Sequence, residues 1–312
     1  MTRWAIGADV GGTKIAAGLV ELDTGRLIER MELPTPRGQG AQAVIAAIGD
    51  AVLRIDDAAT RSDVRWQGLG IGLPELVRLD GTPASQWIAD WRGVDLPQAL
   101  SRFAPVRVES DVRLAALAEL RYGHGRSLPS FIFVSIGTGL SCAVCRGGRI
   151  ERGARGFAIH FASSDLVSFA ATTGQRTTFN LEAFASGLGM SEAYEARTGR
   201  AATARMMVEA EAGPEGEALL DEATTALASA IGQVINLIDP HGVVIGGGAR
   251  HGAALLRHAQ GQDTGLYLGR GVPGSPGSVE SAQSFRRGRR GSRPACWRGR
   301  RKALISRPDS AP

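Results

Sequence analysis

A short apolar run, Trp4-Ala5-Ile6, predicts a strand that reaches Asp9 and then turns on Gly11-Gly12. Residues 10–20 and 26–34 read as further antiparallel strands. Across 40–59 the apolar positions Val44, Ile45, Ala47, Ile48, Val52 and Leu53 recur at helical spacing. Residues 66–73 read as a buried strand whose glycines mark close backbone approaches, and Pro74 ends it. A loop over 81–91, a short helix over 96–103, a strand over 106–109 and an Ala/Leu-rich helix over 111–122 follow. The second half repeats the theme. An apolar strand over 130–135 turns at Gly137-Thr138-Gly139 into a hairpin with 140–149, helices span 179–198 and 215–238, and a strand over 241–245 runs into Gly246-Gly247-Gly248. Strands first, then alternating strand and helix, predict a mixed α/β sheet in each half. A glycine-threonine hairpin near the start of each half points to a duplicated fold. Beyond residue 260 apolar periodicity ends, no further strand or closing helix is discernible, and Gly, Ser, Pro and Arg dominate. Such a stretch cannot bury enough apolar surface to offset its ordering entropy, so 261–312 is expected to be a disordered tail.

Charge sharpens this division. The chain has 312 residues, a net charge of +5 and a pI near 9.6, values that by themselves suggest a nucleic-acid partner. Residues 261–312 hold 11 Lys/Arg against 3 Asp/Glu, however, and the preceding 260 hold 25 against 28. The body is mildly acidic and the basicity belongs to the tail, so nucleic acid is not the expected partner. Hydrophobic content of 43% and charged content of 21% are globular values. No run is apolar enough to span a bilayer and no signal peptide is discernible, so a cytoplasmic location is expected. Three cysteines, Cys142, Cys145 and Cys296, offer no disulfide framework, and Cys142-Ala-Val-Cys145 reads as two buried thiols in a strand. Lys14 and Lys302 are the only lysines among 36 basic residues, which draws attention to the position of Lys14.

The candidate chemistry starts at Asp9-Val-Gly-Gly-Thr-Lys14. A turn on Gly11 and Gly12 brings backbone N–H groups close to a docked ligand. Thr13 adds a hydroxyl, Lys14 a positive charge, and Asp9 a carboxylate able to hold a hydrated Mg²⁺ that bridges phosphates. An ordinary Asp/Gly hairpin turn has the same composition, so the motif alone leaves both readings open. Gly137, Thr138 and Gly139 form a second hairpin of this kind. Gly246, Gly247 and Gly248 permit close approach to a nucleoside, or simply a strand-to-helix turn. Asp111, between an apolar strand and an Ala/Leu-rich helix, reads from spacing alone as a helix N-cap or a first-turn residue.

Taken in order from about residue 5 to 250, these motifs resemble the ROK family of bacterial sugar kinases and repressors. That resemblance implies a two-domain α/β architecture of the ribonuclease-H-like, actin-like ATPase type with duplicated mixed sheets. The expected domains are 1–110, with the first phosphate loop, and 111–260, with the second phosphate loop and the adenosine motif. It implies ATP and Mg²⁺ as cofactors and a sugar or cyclitol as acceptor, and it favours a homodimer. In the family an Asp at the place of Asp111 deprotonates the sugar hydroxyl. Asp9 would orient the metal; Gly11, Gly12, Thr13, Lys14, Gly137, Thr138 and Gly139 would hold phosphates; Gly246, Gly247 and Gly248 would approach the adenosine. Gly72, Ser110, His160 and Glu182 fall at acceptor-site positions.

Several residues depart from the family pattern. Ser110 replaces an Asn, Glu75 replaces the last Gly of a Gly-x-Gly-x-Pro-Gly loop, Trp87 stands near the place of a sugar-binding Asn, and the Glu ahead of His160 is missing. The thiols of the family's zinc cluster are absent around Gly174-Gln-Arg, so no zinc site is expected. Polar pockets discriminate strongly when their hydrogen-bonding groups change, so an aminosugar or cyclitol is the expected acceptor rather than glucose alone. The alternative is an impaired or truncated ROK fold that binds sugar or nucleotide without turnover.

Overall fold

The structure is a computed structural model that describes residues 2–158 and 160–247, together with the backbone of 266–268. The first half contains β1 (Trp4–Val10), β2 (Lys14–Glu21), β3 (Leu27–Pro34), α1 (Ala41–Arg61), β4 (Leu69–Leu73), α2 (Leu96–Leu100), β5 (Val106–Ser110) and α3 (Asp111–Tyr122). The second begins with β6 (Ser130–Ile136), β7 (Leu140–Arg146) and β8 (Arg149–Ile150), followed by a separate hairpin of β9 (Asp165–Phe169) and β10 (Arg176–Asn180). Helices α4 (Leu181–Ala185), α5 (Gly187–Thr198), α6 (Ala204–Val208) and α7 (Gly213–Ile238) lead to β11 (Gly242–Gly247) and β12 (Leu266–Leu268).

The two five-stranded sheets have the same topology. Their orders, β3-β2-β1-β4-β5 and β8-β7-β6-β11-β12, match position by position. In each, the first three strands in sequence form an antiparallel meander and the last two add in parallel. The duplication suggested by the repeated hairpins is therefore present in the strand order itself. β12 occupies the place in the second sheet that β5 occupies in the first. A strand thus stands in the segment where the sequence pattern gives none. Three residues are too few to register as an apolar alternation, and parallel pairing to β11 supplies what the local sequence does not. The rest of 261–312, and Gly248, lie outside the described residues.

Burial follows the expected periods. Trp4, Ile6, Ala8 and Val10 alternate inward along β1, and Val44, Ile45, Ile48, Val52, Ile55 and Ala59 line one face of α1. These two elements share one core with β4 and Trp91. A second core joins β6, β7 and β11 to α4–α7. Between them, α3 packs Val112 and Ala116 against Phe131, Phe133, Ala143, Cys145 and Val244. Cys142 and Cys145 belong to different cores, on opposite faces of β7, and burial raises both thiol pKa values.

The expected continuous helix over 179–198 is broken. Asn180 ends β10 and caps α4, its Oδ1 accepting the Ala183 N–H at 2.9 Å. Ser186 caps α5 in the same way, accepting the Gly189 N–H at 3.0 Å. The break lets α5 begin against the second glycine hairpin. The β9–β10 hairpin was not legible because every residue of β9 is exposed, which leaves no alternation to read.

At the end of β11, Gly247 has φ +95°, and a Cβ there would lie 2.3 Å from the Ile136 carbonyl oxygen. Gly247→Ala is expected to lower unfolding stability by about 2 kcal/mol or more, because strain and collision act together. A denaturant titration measures this, and an unchanged midpoint would contradict the close approach.

Candidate active site

Strand register brings Asp9 and Asp111 together. In the parallel β1-β4-β5 run, Asp9 lies beside Gly72 and Gly72 beside Glu109. Strands about 4.8 Å apart put Asp9 and Glu109 about 10 Å apart at Cα, and Asp111 follows as the first residue of α3. This is the carboxyl end of the parallel strands, where open α/β sheets bind ligands. Gly72 leaves the middle strand without a side chain: a Cβ on it would lie 3.3 Å from Asp9 Oδ1 and 3.0 Å from Leu114 Cδ1. The glycine makes room for the Asp9 carboxylate.

Both carboxylates are reachable by water. Desolvation by surrounding protein is nonetheless the largest influence on each. The two observations fit together where a carboxylate keeps contact with solvent while protein packs around the rest of it. Asp111 is pushed up to about 6, chiefly by this desolvation; the nearby Asp9 charge adds to the rise, and hydrogen bonds from Val112 N–H and Ser110 oppose it, with Arg113. Asp9 is also raised by desolvation, with Lys14 acting against it. Asp111 is not the helix cap. Ser110 holds the N-cap position without a side-chain cap bond, and Asp111 Oδ1 accepts only from its neighbour Val112 N–H at 2.6 Å and, at 3.4 Å, from Ser110 Oγ.

The two glycine hairpins are built alike. In the first, Thr35 Oγ1 donates to the Gly11 carbonyl at 2.7 Å and Thr35 N–H to the Thr13 carbonyl at 3.1 Å. In the second, the N–H groups of Gly187 and Leu188 at the start of α5 donate to the carbonyls of Gly137 and Thr138, at 2.8 and 3.2 Å. Gly187 is required there, since its Cβ would lie 2.7 Å from the Gly137 oxygen. In both cases two carbonyls of the turn are tied back. No acceptor among the described residues takes the N–H of Gly12, Thr13, Thr138 or Gly139. Each hairpin therefore presents donors, the polarity an anion requires.

The remaining predicted residues divide. Lys14 Nζ lies 2.8 Å from Glu32, which Arg30 also meets at 2.6 Å, so its charge is held in an exposed ion pair. The cation near the tip is Arg37, whose Nη1 lies 3.9 Å from the point a Gly12 Cβ would occupy and has no carboxylate partner among the described residues. Glu182 Oε1 accepts the Leu140 N–H at 3.0 Å and so buttresses the second hairpin. His160 is exposed, with no hydrogen-bond partner among the described residues. Gly246 packs on Phe133, where a Cβ would lie 2.5 Å from the ring, and Gly247 lies against Ile136, so both glycines have a packing reason within the sheet. Among the described residues no cluster of three or more His, Cys, Asp or Glu stands ready for a metal ion, and no helix is long and apolar enough to cross a membrane.

Sequence reasoning missed Thr35, Arg37, Arg113 and Arg152, and it saw Glu75 only as a departure from pattern. Glu75 is fully buried. Arg113, 1% exposed, reaches Glu109, the Gly156 carbonyl at 2.6 Å and the Val77 carbonyl at 3.2 Å. Arg152 pairs with Glu109 at 2.9 Å and donates to the carbonyls of Arg78 and Leu79, both at 3.1 Å. Trp87 is 64% exposed.

Twin sheets of identical order, each opening with a donor-presenting hairpin, define an actin-like ATPase fold. A ROK-family glucokinase from Streptomyces griseus, solved with glucose and AMPPNP, superposes with a TM-score of 0.71 at 23% identity, covering 85% of this chain and 94% of that one. The ROK family matches residues 5–291, and the chain belongs to it. The bifunctional enzyme NanE/NanK of Brucella melitensis is 34% identical over 273 residues, 83% of this chain; the chain spans about half the length of that relative, 48%. A glucokinase of Halalkalibacterium halodurans is 26% identical over 276 residues, 82% of this chain and 83% of its own.

The raised pKa of Asp111 has a consequence for stability. A carboxyl held above its ordinary value favours folding in its protonated form, and that contribution is lost as pH rises from about 4 through about 6. Asp111→Asn, neutral at every pH, is therefore expected to raise the Tm above wild type at pH 7.5, with the gain vanishing below pH 4. Thermal melts across this range test it; a gain independent of pH would contradict the desolvated charge.

Proposed function

We propose that the protein transfers the γ-phosphoryl group of ATP to a hydroxyl of a sugar or sugar-like acceptor, with Asp111 as general base. The observation that carries this reading is Asp111 itself, a carboxylate not engaged in capping, desolvated beside Asp9, with a pKa of about 6. A base tuned toward neutrality can take a hydroxyl proton while remaining ionised at working pH. Membership of a family whose relatives include a glucokinase supports the direction of the chemistry.

The residues present fit Mg²⁺. Asp9 offers hard oxygen ligands in a desolvated cleft, and one carboxylate with phosphate oxygens and water is the usual environment of this ion. When bound, Mg²⁺ would neutralise charge on the transferring phosphates. Gly12 and Thr13, with Thr138 and Gly139, would hold the phosphates through N–H groups left without an acceptor, while the N–H groups of Gly11 and Gly137 close the turns onto the Lys14 and Gly139 carbonyls at 2.9 and 3.0 Å, so that these two glycines shape the hairpins. Gly246 and Gly247 would bring the backbone close to the nucleoside. Arg37, rather than Lys14, whose ammonium is engaged by Glu32, would supply the side-chain cation at the first hairpin. An aminosugar or cyclitol is the acceptor class we favour, because Trp87 stands in place of a hydrogen-bonding Asn.

ADP release with Mg-ATP over a panel of hexoses, aminosugars and cyclitols tests the reading. Asp111→Asn is expected to lower sugar-dependent turnover by about 10²–10⁴-fold. Glucose as the best acceptor would sink the narrower assignment, and absence of any sugar-dependent release the broader one. The pH profile of kcat/KM should climb through about pH 6 and level off above it, since the base must be ionised. A separate comparison concerns the cations: Arg37→Met should weaken ATP binding about tenfold and leave adenosine binding unchanged, whereas Lys14→Met should change both by less than about twofold. Equal effects of the two substitutions would remove Arg37 from the phosphate site.

A further inference from the structure

The segment from 75 to 95 is the longest irregular stretch of the first half, and it is anchored at a single carboxylate. Glu75 is completely buried. Its Oε2 accepts the Ser85 hydroxyl and the Trp87 N–H, the latter at 3.0 Å. Its Oε1 accepts the Ile88 N–H at 2.8 Å and the Trp91 indole N–H at 3.1 Å. Four donors on two oxygens fill the acceptor capacity of a carboxylate. Ser85 Oγ in turn accepts the Leu76 N–H at 2.8 Å. The start of the loop is thus stapled to its far limb.

The near limb is fixed from another direction. Residues 76–84 fold into a small hairpin, with Ala84 N–H on the Leu76 carbonyl at 2.7 Å and Arg78 N–H on the Thr82 carbonyl at 2.9 Å. Arg113 and Arg152 hold the carbonyls of Val77, Arg78 and Leu79, and both pair with Glu109, two residues before Asp111. Three residues ahead of Glu75, Gly72 pairs with Asp9 across β4 and β1. The loop is therefore tethered at its start to the strand position beside Asp9 and along its near limb to the Glu109 ion pairs ahead of Asp111, and the large exposed apolar side chain of its far limb, Trp87, is set by a backbone bond to Glu75.

We propose that Glu75 is a positioning residue for acceptor recognition: it fixes the 85–91 limb, and with it Trp87, before the acceptor arrives. The inference rests on the sugar-kinase reading for its substrate and on geometry alone for the loop. A loop already ordered costs less to bind against, so the effect belongs to acceptor affinity. Glu75→Gln is informative because it keeps the size while turning an amide N–H₂ toward two of the four donors. Trp87 N–H cannot reverse its polarity to match, so the isostere should not rescue.

The test uses the full chain and the acceptor that gives the fastest ADP release. Glu75→Gln is expected to raise the acceptor KM about tenfold or more, with the KM for ATP within about twofold of wild type. Amide hydrogen exchange supplies a readout that needs no turnover: the Trp87 and Ile88 amides should lose protection about tenfold or more in Glu75→Gln, while β1 and β6 exchange as in wild type. Ser85→Ala, which removes one donor at the loop, should shift the same amides and the acceptor KM in the same direction by a smaller factor, and it serves if Glu75→Gln does not fold. Wild-type protection of both amides, an unchanged acceptor KM, or a matched rise in both KM values would overturn the proposal. If wild type shows no sugar-dependent release at all, the kinase reading falls and the exchange of Trp87 and Ile88 alone decides the role of Glu75.

Discussion

The arrangement depends on holding two like charges in one cleft. Left to themselves, Asp9 and Asp111 would separate or protonate, since each is desolvated and the Asp9 charge adds to the rise at Asp111. The sheet prevents separation. Both follow from parallel strands whose register is fixed by continuous hydrogen bonding, by buried alternation on β1 and β5 and by the almost wholly buried β4. The intervening strand carries glycine at the one position where a side chain would stand over Asp9. Stability is given up locally so that two carboxylates can face the same space, a pattern usual for reactive sites.

The same logic governs the hairpins. A glycine turn exposes both carbonyls and N–H groups, and an anion site needs only the latter. Thr35 engages the carbonyls of Gly11 and Thr13 in the first hairpin, and the start of α5 those of Gly137 and Thr138 in the second. The two devices are chemically unlike, a side-chain hydroxyl with its own amide in one case and a helix terminus in the other. The halves thus preserve strand order while reaching the same polarity by different local means.

Much of this was legible in the chain. The paired hairpins, the strands leading into them, α1, α3 and α7 follow from periodicity and glycine placement, and Asp9 and Asp111 stand out as acids at strand ends. What escaped were features set by distant partners. The break at Ser186 depends on carbonyls some 50 residues earlier, β12 on a neighbour strand, and β9–β10 on hydrogen bonds without burial. Lys14 drew attention by rarity, yet its charge is taken by Glu32 on the adjacent strand, a pairing invisible until β2 and β3 are in register. Glu75 looked like a lapse from pattern; its four donors lie 10 to 16 residues downstream, in a loop with no periodicity to announce them.

The scarcity of lysine has a practical side. Side-chain amines occur at two positions in 312 residues, and one of them is at the first glycine hairpin. Lys14 is about half exposed and meets Glu32 across a surface ion pair that salt would loosen. Amine-selective labelling therefore addresses few sites, Lys14, Lys302 and the terminal amine, and one of these places a probe at the strand that begins beside Gly11–Thr13. Arginine carries the rest of the positive charge and is inert to that chemistry. A reporter attached there would sense changes at the hairpin against very little background from the remainder of the surface.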